Sequence, residues 1–498
     1  MSSRSFRVAK STPLSATLSP ISKLLSKPPL LSKSALVFAS LLLLPYTQGA
    51  QALSAQTSQV IHGSAPYLTF DGGLTKATNV DELLFITLPD GTKLTPSTNT
   101  SSGVNPIKLP NIRNTLGDIG MVVPPSKNSI NLNDLIIPSN WGDDDGDGQG
   151  INGVTVTGSI SVTFTDKEGN AVNRGDALDI CNAPYKVTLS STEGSLTTKY
   201  GVPKSSTFSE GKVNYYINPN LPLKVCHVRP NLTYGTGDYA GPFNIWSPTK
   251  GFLVQSVSSS SYDRNFPTTG ADGLYFDLLI GGIDASLLTW SSVTHGGITA
   301  TVTTMTPSDR WIPNIDRGKV VTRVTLSGPR ASSSQIGSDS PSRLSKPILP
   351  QIFELVGIDS KGRVVKYGFE LKQWFVNRGT RLADASNQSS WCSGLGYRFP
   401  QVRDLTNAVC SGKWSGSWCQ GSVGAIPSSS GDHYQRRIGA GFFTEWGDML
   451  HYANADFTDR NYWTSEAVGN LQFGVDSDDG DVLGDDSNIS RYGLCTSP

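Results

Sequence analysis

The stretch Val154-Thr155-Val156-Thr157-Gly158-Ser159-Ile160-Ser161-Val162-Thr163-Phe164 decides the fold class. Val154, Val156, Gly158, Ile160, Val162 and Phe164 fall on one side of an extended chain, and the hydroxyl residues between them fall on the other. A period of two marks a half-buried β-strand, because successive side chains on a pleated strand point to opposite faces. The same alternation marks Tyr185, Val187 and Leu189, then Ile298, Ala300 and Val302, and the run 320–326, each bounded by Gly, Pro, Asp or Asn. Strands punctuated at such intervals predict antiparallel sheets packed as sandwiches, a mainly β fold. Two turns share one form, Asp166-x-x-Gly169-x-x-Val172 and Asp359-x-x-Gly362-x-x-Val365, each with a Gly where the chain reverses.

The chain has 498 residues, 37% of them hydrophobic, with 51 Gly and 30 Pro. That composition excludes collagen, coiled coil and wholesale disorder, and the length implies about three domains. Lys and Arg number 41 against 41 Asp and Glu, which offers no basic footprint for a nucleic acid. Residues 1–34 hold six basic side chains and no acidic one, ahead of the apolar run 35–44 and Ala50-Gln51-Ala52. This predicts a signal peptide over 1–52, cleaved after Ala52. Beyond it no stretch reaches the roughly 20 apolar residues of a membrane-spanning helix. The mature protein is therefore expected to be secreted or held at the cell surface. Six cysteines in an oxidising compartment imply three disulfides, and none has zinc-site spacing.

Composition sets the expected boundaries: a β-rich region over 53–145, one or more β-rich domains over 150–328, a linker over 329–345 and a terminal domain over 346–498. The linker reading rests on seven serines and four prolines between 329 and 350. Cys181 and Cys226 lie before it, and Cys392, Cys410, Cys419 and Cys495 after it, so pairing within each side is the economical solution. After the linker the pattern changes. A strand pair within 352–375 leads to one helix with Trp391 and Leu395 four apart, stopped at Gly396, and another entered through Pro400 with Val402, Leu405 and Val409 on one face. Helices framed by strands predict an α+β module.

The residues of that module carry a resemblance. Trp374-Phe375-Val376-Asn377-Arg378-Gly379, Trp391-Cys392-x-x-Leu395-Gly396-Tyr397-Arg398-Phe399-Pro400-x-Val402-Arg403-Asp404-Leu405, the run Ile438-Gly439-Ala440-Gly441-Phe442-Phe443-Thr444-Glu445-Trp446-Gly447, Tyr462-Trp463-Thr464-Ser465-Glu466 and Tyr492-Gly493-Leu494-Cys495 follow in order. Together they resemble the terminal C-type lectin-like domain of bacterial invasin and intimin-type adhesins. The β-rich region over 150–328 looks like the immunoglobulin-like adhesion domains that precede it there, which implies β-sandwich (Ig-like) domains followed by an α+β C-type lectin-like domain. The resemblance implies a bond between Cys392 and Cys495, which leaves Cys410 to Cys419 around a loop that looks like an insertion. It also implies a Gram-negative source, a host-cell receptor protein or glycan as partner, and no catalysis. The membrane barrel that anchors those adhesins is not expected in a chain of this length.

Each chemical motif has a plainer reading. Asp476, Asp478, Asp479 and Asp481, with Asp485 and Asp486, place six carboxylates near one hairpin. Calcium is the sharp reading, since hard cations take clustered carboxylate oxygens. It would make the chain a secreted calcium-dependent carbohydrate-binding protein, the alternative function. The sugar-binding tripeptides of calcium-dependent lectins are missing, so a solvated acidic turn is preferred and no cofactor is assigned. Asp143-Asp144-Asp145-Gly146-Asp147-Gly148 opens like an EF-hand, but Val154 stands where the bidentate Glu belongs, and an acidic linker is the default. Arg174-Gly175-Asp176 spells an integrin-binding tripeptide inside ordinary turn chemistry. Trp391, Trp446 and Trp463 read as core anchors, whereas Trp414 and Trp418 flank Gly and Ser in the short loop and are candidate ligand contacts alongside the four Asp. Glu445 and Asp448 form a carboxylate pair without an accompanying catalytic motif, and none of the five histidines lies in one.

Overall fold

In the computed structural model, which describes residues 63–77, 79–148 and 151–497, the alternation over 154–164 holds face by face. Val154, Val156, Ile160, Val162 and Phe164 are buried. The stretch is nonetheless two strands. Gly158 turns at φ +100°, and the chain passes from Thr155–Val156 in a three-stranded sheet to Ser159–Thr165 in a five-stranded one. A Cβ at 158 would lie 3.2 Å from Gly194 Cα, so the crossing uses glycine for space as well as for φ.

The five-stranded sheet runs Ile107–Lys108, Gly211–Asn218, Tyr185–Ser191, Ser159–Thr165, Ser129–Asn131, parallel at the first pairing and antiparallel at the rest. Its inward residues join apolar side chains between 68 and 132 to form one hydrophobic core, bounded by Leu68 and Ile217. A second core extends from Val225 to Cys495. Between them lies the neck Asn218-Pro219-Asn220-Leu221-Pro222-Leu223. The Cys181–Cys226 disulfide crosses this neck.

A seven-stranded antiparallel sheet dominates the second core. Its central strands are Lys224–Arg229, Tyr275–Gly281, Val321–Ser327 and Ile298–Met305. The chain after it is interleaved with the chain before it. Gln373–Asn377 pairs antiparallel with Leu494–Ser497 and parallel with Thr269–Ala271. Leu288–Trp290 pairs with Gln351–Asp359, which forms a hairpin with Val364–Leu371. The Ser-rich stretch is part of this fabric. Ser332 and Gln335 cap the short helix α1, Ser333–Gly337, and its carbonyls serve buried donors: Gln335 O accepts from Trp391 Nε1 at 2.8 Å, and Ile336 O and Ser338 O accept from the Arg378 guanidinium.

Helix α2, Ala385–Leu395, starts on the Asp384 carboxylate and ends at Gly396 with φ +87°. Helix α3, Val402–Leu405, is shorter than the apolar spacing predicts and excludes Val409. Thr406 and Asn407 stop it: both are fully buried, and the Asn407 side chain bridges Pro427 O, Gln435 O and Gln435 N. Helix α4, Phe442–Trp446, packs behind it, with Gly441 too close to the Leu405 backbone to carry a side chain. A three-stranded sheet, Asn461–Val468, Leu471–Asp476 and Val482–Asp486, completes the α+β part. The protein is mainly β. Cys392 is bonded to Cys495 and Cys410 to Cys419, so no cysteine is free. Among the described residues no helix is long and apolar enough to cross a membrane. The leader expected over 1–52 lies outside the described residues.

Candidate functional site

The loop closed by Cys410 and Cys419 sits on the edge of the last three-stranded sheet, where Gly484 N donates to Trp418 O at 2.9 Å. Its base is fixed by Asp432, whose carboxylate accepts from Trp414 N. The Trp418 ring lies over Gly416, where a Cβ would come within 2.3 Å of it. The indole of Trp414 is 66% exposed, with the Lys413 ammonium 4.6 Å from its ring centre, and Trp418 is 38% exposed. Val423 and Ile426 follow on the same excursion, both largely exposed, and the exposed Val468 faces Gly421. A short covalent loop thus holds large apolar side chains in solvent at little conformational freedom, the arrangement that suits contact anchors.

The acidic hairpin differs from the solvated turn that sequence predicts. Gly480 has φ +77° and would carry its Cβ into the Tyr434 ring. Tyr434 donates through its hydroxyl to Asp478 O at 2.6 Å and through its N–H to Asp479 O at 2.9 Å. Ser477 is buried, with Oγ donating to Thr458 O. The four neighbouring carboxylates are consequently half-buried. Desolvation, then the charge and hydrogen bonds of Asp476, pushes Asp478 up to about 8. Burial followed by the Asp479 charge takes Asp481 to about 7, and burial takes Asp479 to about 6. Tyr234, from a loop 244 residues earlier in the chain, directs its hydroxyl to Asp478 Oδ2 at 3.4 Å, and the Tyr239 ring packs tilted against His433 at 4.4 Å.

Asp459 joins this cluster although its place in the sequence gives no sign of it. One oxygen each from Asp459, Asp476 and Asp478 lie within 4.8 Å of one another. Asn461 is the cross-strand partner of Asp476, and its Oδ1 is buried without a hydrogen-bond partner. Asp459, Asp476 and Asp478 are one set that could hold a hard cation, as a part of the six to eight oxygens it takes. Asp485 and Asp486 turn elsewhere, to Arg491 and Asn488.

The other motifs are drawn into the scaffold. Asp143, Asp145 and Asp147 also bring oxygens within 4.8 Å, and the segment is tied down: Asp145 accepts from Ser64 N, Asp147 from Val202 N and Asp143 from Gly148 N. Arg174 lays its guanidinium over the Phe164 ring at 5.1 Å, and Arg174 O accepts from Gly117 N, which commits the tripeptide to its turn. Glu445 and Asp448 serve separate ends. The Glu445 carboxylate is fully buried and takes hydrogen bonds from the N–H and hydroxyl of both Thr268 and Thr269 and from Gly439 N. Asp448 pairs with His451 at 3.3 Å. Trp391, Trp446 and Trp463 are fully buried.

No protein-family model matches the chain. Over 114 residues, 23% of this chain, it is 27% identical to the inverse autotransporter adhesin YeeJ of Escherichia coli K12, and the match spans 4% of that protein's length. Among solved structures, invasin, described as a bacterial integrin-binding protein, matches 70% of this chain over 52% of its own length, at 14% identity and a TM-score of 0.34. A C-terminal fragment of intimin, solved in complex with the intimin-binding domain of the translocated intimin receptor, matches 69% over 93% of its length, at 12% identity and a TM-score of 0.30. The chain is thus similar over 114 residues to an inverse autotransporter adhesin, of whose length that stretch is a small part, and its ordered motifs after Pro350 resemble those of invasin and intimin-type adhesins.

Proposed function

We propose that this is an exported bacterial adhesin of a Gram-negative cell surface that binds a host-cell receptor protein through its C-terminal lectin-like module. The observation that carries the reading is the exposed pair Trp414 and Trp418 on a loop pinned by a disulfide, with the exposed Val423 and Ile426 in the segment just after it. Apolar side chains of this size are held in water at a cost, and a partner that covers them recovers it. The integrin-binding invasin and receptor-bound intimin supply the class of partner.

The test uses the chain from residue 53 onward, because the terminal module takes a strand from Thr269–Ala271. Binding to host cells, immobilised integrins and a glycan array is compared for this protein and for the double variant Trp414→Ala/Trp418→Ala. Saturable protein-receptor binding that the variant loses by about thirtyfold or more, the effect of one strong anchor, supports the reading. Binding confined to glycans and abolished by chelator, with calorimetric uptake of calcium, replaces it with the calcium-dependent lectin. Binding unaffected by the variant moves the contact face away from this loop.

A further inference from the structure

The two hydrophobic cores do not meet along their whole facing surfaces. Beside the neck a cleft of about 1240 Å³ opens, larger than the pocket of a single small molecule. Its floor is the neck itself. One wall carries Lys108 at the edge of the five-stranded sheet, Lys186 on Tyr185–Ser191 and Lys167 in the turn after Ser159–Thr165, and the opposite wall carries Lys361 in the turn after Gln351–Asp359. The two turns are the pair whose common form is legible in sequence. In each, the Asp side chain accepts from backbone N–H groups two and four residues on, Asp166 from Glu168 and Asn170, Asp359 from Lys361 and Arg363.

The charges in the cleft are unequally spent. Its acidic side chains are occupied locally: Asp166 within its turn, Glu168 with Lys250 at 2.6 Å and Asp284 on Ser286. Lys319 and Arg363 are paired with Asp316 and Asp359. Among the described residues Lys108, Lys167, Lys186 and Lys361 make no ion pair at bonding distance, and Lys167 feels Glu168, Asp316 and Asp179 only at longer range. Lys167 is exposed along its stem, while desolvation and the Lys250 charge draw its ammonium below its ordinary value against the opposing charges of Glu168 and Asp316.

The walls also say what kind of anion fits. The sheet edge in the cleft, Ile107–Lys108, is two residues long and flanked by Pro106 and Pro110, and Leu109 N is already bonded to Asn218 O. It lacks the free N–H row that would align an acidic peptide as an added strand. What the cleft offers instead is flat apolar surface, Tyr216, Pro184, Pro219 and Pro222, between isolated point charges on flexible stems. Sugar rings carrying one anionic group each match that alternation.

We propose that the cleft between the two cores binds an acidic oligosaccharide, its carboxylate or sulfate groups on Lys108, Lys167, Lys186 and Lys361 and its ring faces on Tyr216 and the proline neck. This site is separate from the terminal loop and stands or falls independently of the receptor reading. The test is calorimetric titration of the chain from residue 53 with three hexasaccharides: galacturonate for carboxylates, a heparin fragment for sulfates and neutral maltohexaose. A hexaglutamate peptide is the fourth arm. Saturable one-to-one binding of either acidic sugar, absent for maltohexaose, is expected to weaken at least tenfold in Lys108→Ser/Lys186→Ser. It should stay within twofold in Lys204→Ser/Lys212→Ser, which removes two exposed lysines outside the cleft. The Trp414→Ala/Trp418→Ala variant should bind these sugars normally. No binding of either acidic sugar, an equal loss in both lysine variants, or tighter binding of hexaglutamate than of both sugars would overturn the proposal.

Discussion

At Glu445 five donors from Thr268, Thr269 and Gly439 converge on one buried carboxylate. Each is a group that water would otherwise satisfy, so removing the acceptor strands buried N–H and O–H groups rather than deleting one contact. Glu445→Ala is expected to cost about 3 kcal/mol or more, read as a shifted urea midpoint with an unchanged slope. Arg436 is the matching donor, giving hydrogen bonds to Asn231 O, Thr233 O, Tyr234 O and Glu445 O while its guanidinium lies 4.7 Å from the Trp246 ring centre. By contrast Trp414→Ala removes an exposed side chain and should leave stability within about 0.5 kcal/mol, so a binding defect in that variant reports the contact alone. The motif around Glu445 was legible in sequence as order and spacing. Its partners were not, because Thr268 and Thr269 lie 177 and 176 residues away in a stretch with no distinguishing pattern.

The acidic hairpin teaches the same lesson one level up. Its Asp-rich composition reads as solvated because charge density normally keeps a turn in water, but Gly480 lets the turn lie against Tyr434, and burial follows from that single close approach. The pH response is fixed in sign. Asp478, Asp479 and Asp481 titrate near 8, 6 and 7 in the folded protein, above the ordinary carboxylate value. The folded state therefore holds protons that the unfolded chain has released, and stability falls as pH rises from about 4 toward 8. The thermal midpoint should be lower at pH 8 than at pH 5, and Asp478→Asn should flatten the slope; a midpoint that climbs over this range in the native chain would contradict the geometry. The helices give a second contrast. Trp391, Leu395 and Gly396 announced α2 because its face and its stop are both local signals. The end of α3 was hidden, since it depends on Asn407 reaching carbonyls 20 and 28 residues ahead.

At the scale of the molecule, alternation showed strands but not which sheet each joins. Thr155–Val156 and Ser159–Thr165 read as one element because their faces stay in phase across Gly158. The serines of 329–345 suggested a spacer, yet their capping hydroxyls and free carbonyls are what lets α1 dock on Trp391 and Arg378. The two cores should unfold as separable units joined by the neck. Cys181→Ser/Cys226→Ser is expected to split one calorimetric transition into two or widen it, while the native bridge, closing a 45-residue separation, couples them.

The covalent loop from Cys392 to Cys495 has a further consequence under mechanical load. On the adhesin reading proposed above the protein would be stretched between two surfaces by flow, and a stretched chain can pay out only the segments that no cross-link bypasses. The 103-residue separation closed by this bond amounts to about 350 Å of fully extended backbone, which tension applied across the chain cannot draw out while the bond is intact. Single-molecule pulling should show a contour gain longer by about that length after reduction, so the cystine acts as a stop on the tether's reach.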